Sequence, residues 1–439
     1  MARRRMPLSL AAALASLAVM AASLPAPALG GSMAAGPTPA FAAPVRLGFA
    51  AGDDWEPAVA ADASGHVYVV WKHYDVAGSA ATVCGDPSGC DQRILVQVST
   101  DGGGSFGPPR ALDPGRVGYD SQVVVDPADG RTVYASFLVG FKSSIGVTRS
   151  TDGGATWTPT TIADSLMRSV DKDILAVRGS DVYVAWNAAQ KIYVSVSHDG
   201  GRTFSDVQAD AGRQLGWSLP AGGTVLPDGT VLFGWAGYTQ NGGAKGPVNL
   251  YVTRSRDGGR TWATTLLDVS GAPTSCSGCG WAFYGAQLTV AADAGGTVYA
   301  LENRSTVDFG PSRVYLRRSF DGGSTWTAAT DLGLAPAGTN AAFPALAGAA
   351  AGTVNAAWMD DRTGAYRVYL RRSTDGGATW SGEAVLSADL GYPYQSAAGF
   401  TFPYGDYFEL DAAGGRTVAA WGEGPAYAGP GNVFFSVGR

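Results

Sequence analysis

The stretch Ser319-Phe-Asp321-Gly-Gly-Ser-Thr-Trp326 is one of six copies of a single octapeptide. The others are Ser99-Thr-Asp101-Gly-Gly-Gly-Ser-Phe106, Ser150-Thr-Asp152-Gly-Gly-Ala-Thr-Trp157, Ser197-His-Asp199-Gly-Gly-Arg-Thr-Phe204, Ser255-Arg-Asp257-Gly-Gly-Arg-Thr-Trp262 and Ser373-Thr-Asp375-Gly-Gly-Ala-Thr-Trp380. Their aspartates are 51, 47, 58, 64 and 54 residues apart. A beat of that length marks a repeat architecture. Each copy follows an alternating stretch such as Arg313-Val-Tyr-Leu-Arg-Arg318, which reads as a strand leading into a hairpin turn. The Asp carboxylate can accept hydrogen bonds from the turn's amides, and the glycines supply positive φ. Six aspartates at equivalent turns (Asp101, Asp152, Asp199, Asp257, Asp321 and Asp375) therefore read as structural.

A second element recurs between the turns: an apolar strand ending in an aromatic. Its copies are Val67-Tyr-Val-Val-Trp71, Val133-Tyr-Ala-Ser-Phe137, Val182-Tyr-Val-Ala-Trp186, Val231-Leu-Phe-Gly-Trp235, Val298-Tyr-Ala-Leu-Glu302, Val354-Asn-Ala-Ala-Trp358 and Thr417-Val-Ala-Ala-Trp421. That is seven copies, one more than the octapeptides. Each unit is then strand A, strand B, strand C, the octapeptide turn and strand D. The seventh unit ends after a third strand, Asn432-Val-Phe-Phe-Ser-Val437, while Pro44-Val-Arg-Leu-Gly-Phe49 is an orphan strand ahead of the first. The pattern predicts an all-β, seven-bladed propeller of four-stranded antiparallel blades. The orphan strand would close the ring by filling the outer place of blade seven, leaving no open sheet edge. The alternative is six blades plus an extra hairpin.

Arg3, Arg4 and Arg5 precede an apolar run over residues 6–24, the layout of a secretory signal. Residues 1–28 read as a signal peptide, 29–43 as an Ala/Pro/Gly-rich leader, and 44–439 as one propeller domain. The expected location is secreted, extracellular or cell-envelope. No second apolar stretch is long enough to span a bilayer. A net charge of −6, more negative once the leader arginines are removed, argues against a nucleic-acid partner. Sixty-two glycines, twelve tryptophans and 15% charged residues suit short strands and tight turns. A monomer is expected. Cys84 and Cys90 share one short loop, and Cys276 and Cys279 another. An even count outside the cell favours disulfides, with three pairings open and the two local ones preferred. Four thiolates around zinc would need the two loops to meet.

Glu302 breaks the aromatic rule of strand B, and a carboxyl there needs a partner or water. It is a candidate base, nucleophile helper or ligand anchor. Arg304 follows it. Asp360-Asp361-Arg362 occupies the corresponding place in blade six, so Arg304 and Arg362 are candidates to bind a carboxylate bidentately. Polar residues open several A strands: Asp53, Asp54 and Glu56; Tyr119 and Asp120; Asp171 and Asp173; Tyr404, Asp406 and Tyr407. Crowded carboxylates there would hold a proton or share a cation, calcium being the candidate.

The octapeptide is identified as the Asp box, or BNR repeat, and the chain resembles the sialidase-like β-propellers over essentially all of the mature sequence. That superfamily includes sialidases, some glucan hydrolases, sorting receptors and a photosystem assembly factor. The resemblance is specific for fold and weak for function. It implies that the D–A and B–C loops share one face, where ligands of propeller enzymes meet the channel. Sialidases use three arginines, a Tyr–Glu nucleophile pair and an Asp acid/base. The resemblance offers Arg304 and Arg362 for the arginines, Tyr407 (or Tyr404) with Glu302 for the nucleophile pair, and Asp54 as a catalytic carboxylate. A glucan hydrolase would instead pair Asp54 or Asp120 with Asp361. The family's early Arg-Ile-Pro element is missing, its nearest counterpart being Val45-Arg46-Leu47, and sialidases have six blades rather than seven. The expectation is a secreted module that binds glycan or an extracellular partner on its loop face. The alternative is a sialidase-like exo-glycoside hydrolase acting on acidic sugars.

Overall fold

The structure is a computed structural model and describes residues 34–49, 52–75, 91–164, 169–188, 190–210, 212, 214–240, 243–273, 285–387, 403–424 and 431–439. All four cysteines, and with them both expected disulfides, lie outside the described residues.

Seven four-stranded antiparallel sheets form the ring, and no helix occurs among the described residues. In blade one the order is Asp53–Ala61, Val67–Tyr74, Arg93–Ser99 and Arg110–Ala111, from the axis outward. The inner strands of the other blades are Gly118–Val125, Asp171–Arg178, Ser218–Val225, Leu288–Ala292, Ala341–Gly348 and Glu409–Ala413. Blade seven takes its outer strand from the other end of the chain. Val45 pairs with Phe435, Arg46 with Phe434, and Leu47 donates its amide to Val433 O at 2.9 Å. The ring has seven blades; the six-blade alternative falls. Residues ahead of this strand also lie on the rim: Ala34–Gly36 runs parallel to Trp380–Ser381 of blade six, and Ala42 N donates to Val437 O.

Strand alternation builds the core. Val67, Val69 and Trp71 face blade seven, while Tyr68 and Val70 on the same strand face blade two. Each blade is thus buried on both faces, and its middle strands read as continuous apolar runs. An apolar cluster fills each of the seven blade-to-blade interfaces. The strand-B tryptophans Trp71, Trp186, Trp235, Trp358 and Trp421 are fully buried, and each indole N–H finds an oxygen. An unpaired indole N–H there would cost a lost hydrogen bond.

The six turns repeat one hydrogen-bond pattern. In the fourth, Asp257 Oδ1 accepts from Thr261 N at 2.9 Å, Oδ2 accepts from Thr261 Oγ1 at 2.6 Å, and Gly259 N donates to Ser255 Oγ. Gly258 and Gly259 sit at φ of 72° and 81°. A Cβ on Gly259 would meet Val196 Cγ2 at 2.8 Å, so the second glycine serves packing as well as φ. The closing aromatic wedges toward the preceding blade: Phe106 meets Phe435 edge-on at 4.9 Å.

Candidate functional site at the channel mouth

Near its first residues, the inner strand of blades one, two, three, four and six slips register against its neighbour. These are β-bulges, which re-aim a side chain. Glu56, Asp120, Lys172 and Phe343 lie at four of them with φ of 56°, 35°, 50° and 52°. Left-handed non-glycine residues cost energy and cluster where a site needs them.

The result is a convergence on the axis. Lys172 Nζ of blade three lies 2.7 Å from Asp406 Oδ1 of blade seven. Those blades are not neighbours in the ring, so this contact crosses the channel. Gln287 of blade five donates to Asp406 O at 2.9 Å, and Tyr407 Oη bridges Ser121 N and O of blade two. Oxygens of Glu56, Asp120 and Asp406 lie within 4.8 Å of one another, all three side chains being buried. Burial first, then Asp120 and Asp406, hold the Glu56 carboxyl well above the usual range, so Glu56 keeps its proton and shares it with Asp120. Burial opposes charge on Lys172, yet Asp406, Asp120 and Glu56 more than offset it. The cluster therefore carries its own cation. An ammonium 2.7 Å from Asp406 leaves this donor set a poor fit to calcium.

Above the cluster a cleft of about 140 Å³ opens on the D–A and B–C face. Its walls are aromatic: Trp55, Tyr74, Tyr119, Phe141 and Trp217. Trp55 stacks on Tyr74 at 5.8 Å, and Tyr119 meets Phe141 edge-on at 5.6 Å. Lys72 is buried behind this wall, 3.8 Å from the Tyr119 ring, and donates to Gly118 O at 2.6 Å. Phe141 stands at the lip, 74% exposed, beside Lys142 at a φ of 57°. Lys142 pairs with Asp171 at 2.6 Å. Glu56 Oε2, at the floor, meets no donor. The channel below is lined mainly by small aliphatic side chains and backbone and lacks such walls.

The other expected site residues are dispersed. Glu302 is buried between blades four and five. Its Oε1 lies 3.1 Å from Arg304 Nε, and Arg304 and Arg317 both pair with Asp268 of blade four. Burial and then Asp268 raise Glu302 to about 8, so the pair holds one proton and Asp268 carries the charge facing the arginines. Arg362 is gripped by Asp360 and Glu383 and lies 3.7 Å above the Tyr369 ring. Asp361 accepts from Asn340 N and Nδ2 and braces its own loop. Asp54 accepts from Trp71 Nε1 at 2.8 Å and sits 2.7 Å from His73 Nδ1, whose other ring nitrogen faces Asp75. Of the three catalytic candidates only Tyr407 reaches the axis. Burial and the surrounding carboxylates keep its phenol protonated, and Glu302 is not beside it. Sequence reading named Glu56, Asp120 and Asp406 as crowding the mouth but missed Lys172 and the aromatic wall. A signal was present: Trp55, Tyr119 and Trp217 all stand at or just before the start of an inner strand.

Residues 49–277 match the family described as BNR repeat-like domain. The chain belongs to that family. A xyloglucanase from a Paenibacillus species is 32% identical over 236 residues, covering 49% of this chain and 21% of its own. This chain thus spans about a fifth of that curated relative. Among solved structures, an ulvan-degrading polysaccharide lyase superposes with a TM-score of 0.50 at 11% identity over 89% of this chain and 95% of its own. A Hadza microbial sialidase gives 0.44 at 16% identity, over 80% and 74%. A protein of unknown function from Dyadobacter fermentans gives 0.47 at 16%, over 92% and 99%. The likeness to the lyase speaks to the fold alone.

Proposed function

We propose that this chain is an exported, monomeric BNR-repeat propeller that binds a glycan in the channel-mouth cleft. One observation carries the reading: an exposed aromatic lip, Phe141 with Trp217 beside it, stands over a floor of buried carboxyls with an unsatisfied oxygen. Flat aromatic faces suit the apolar faces of sugar rings, and a few fixed polar groups set orientation. Arg304 and Arg362 are each already held by two acidic side chains, which argues against the acidic-sugar site they suggested. The carbohydrate activity named for the Paenibacillus relative points the same way. Export is supported by the basic and apolar start of the chain.

Binding is favoured over turnover by the carboxyl spacing. Glu56 and Asp120 hydrogen-bond to each other, whereas a hydrolase pair flanks the scissile bond at about 5 Å or more. A second reading, glycoside hydrolysis, draws on the protonated state of Glu56, which is that of a general acid. The test is calorimetric titration with a panel of oligosaccharides, alongside a reducing-sugar assay. Binding weakened about tenfold or more in Trp217→Ala and Phe141→Ala, with no sugar released, supports the module. Release of sugar that vanishes in Glu56→Gln transfers the assignment to hydrolysis. No binding and no release across the panel would overturn both.

A further inference from the structure

The cleft's charge and its aromatic faces together narrow the ligand, given the glycan reading above. Four carboxyls line it, Glu56, Asp120, Asp171 and Asp406, against two ammonium groups, Lys142 and Lys172. No arginine is among the described residues that line it. Among the described lining residues, an anionic sugar would meet more carboxyls than ammonium groups.

Lysine amines already lie against the walls, although burial holds the Lys72 amine well below the usual lysine range. Lys72 Nζ lies 3.8 Å from the Tyr119 ring centre and 4.6 Å from that of Tyr74. Lys172 lies 4.6 Å from the ring of Tyr407 at the floor. Lys142 lies 5.9 Å from both Phe141 and Trp217, at the outer limit of an ammonium–π contact. The three differ in how firmly they are held. Lys72 and Lys172 are buried, and Lys172 is tied to Asp406. Lys142 stands on the lip with a third of its side chain exposed, and it pairs with Asp171, itself partly exposed. A solvated ion pair of this kind is held weakly.

We infer that the cleft selects glycans carrying a free amine, and that the sugar's ammonium takes the place of Lys142 between Asp171 and the faces of Phe141 and Trp217. Lys142 then swings into water. The ligand keeps every favourable contact that Lys142 had and adds the stacking of its ring. A neutral sugar gains only the stacking, and an N-acetylated one brings no charge to Asp171. Selectivity is thus electrostatic and is set by a single carboxylate.

The experiment is titration calorimetry of the full chain with a glucosamine tetramer, its N-acetylated counterpart and cellotetraose in mildly acidic buffer. The expected result is that the free-amine oligomer binds about tenfold more tightly than either other, with the advantage shrinking as salt is raised. Asp171→Asn should collapse that ratio and Lys142→Met should enlarge it. Trp217→Ala should weaken all three while leaving the ratio standing. Thermal midpoints near wild type would show that the variants fold. Equal affinity for the three sugars overturns the amine inference and leaves the glycan reading intact. No binding of any sugar removes the reading beneath it as well. An oligolysine that binds more tightly than all three, with the same dependence on Asp171, would reassign the cleft to basic peptides.

Discussion

At the place where five blades bury a tryptophan, blade five buries a carboxyl. The tryptophans satisfy one N–H with a local oxygen, so they need little from outside the blade. Glu302 instead draws Arg304 and Arg317 of its own blade and Asp268 of the preceding blade into one cluster. The substitution was legible because it broke a pattern. Its consequence was not, because Asp268 and Arg317 come from strands whose register the sequence does not state. The cluster makes a pH prediction. The unfolded carboxyl loses its proton near 4.5 and the folded one near 8, so stability should fall as pH rises across that window. Glu302→Gln should narrow the drop in melting temperature between about pH 5 and pH 8 by a few degrees in calorimetry. Identical pH slopes in the two proteins would mean that Glu302 ionises normally.

Turns and strand starts differ in how much they announce themselves. The bonds made by the aspartate and leading serine side chains of an Asp box lie within its own octapeptide, so residue types alone give the turn. The bulges that build the mouth carry no such mark. Glu, Asp and Lys do not advertise positive φ, and only neighbouring strands at the axis can impose it on Glu56, Asp120 and Lys172. The fold was therefore readable where chemistry is local, and the cleft was hidden where it is not. Local closure has a measurable corollary. Asp152→Ala and Asp321→Ala remove equivalent bonds in blades two and five, which do not touch. Each should lower the melting temperature, and the double variant should show the sum. A double variant no worse than the weaker single one would show that the turns do not act independently.

Across the whole molecule, cohesion is shared among seven like interfaces, and one of them depends on a strand from far away in sequence. Leu47 is 4% exposed and packs with Val59, Trp71, Val433 and Phe435 where blades one and seven meet. Leu47→Ala should cost about 2–4 kcal/mol, read from the denaturant midpoint. A loss no larger than that of an exposed site such as Val385→Ala would show that this strand adds nothing to closure. The count of blades and the identity of the closing strand both followed from the sequence, because an unpaired edge and a spare strand have one economical match.

That match sets the order of events in folding. Ser436 Oγ donates to Ala42 O across 394 residues of chain. Blades one to six can form from contiguous sequence as it becomes available, but they form an arc with two bare edges. The arc becomes a circle only when Val45–Arg46 pairs with the strand Asn432–Gly438. Until then the interface between blades one and seven is missing, Asp406 and Tyr407 are not yet fixed on the axis, and the mouth has no floor. The floor of the mouth is thus completed in the same step that hides the last adhesive edge.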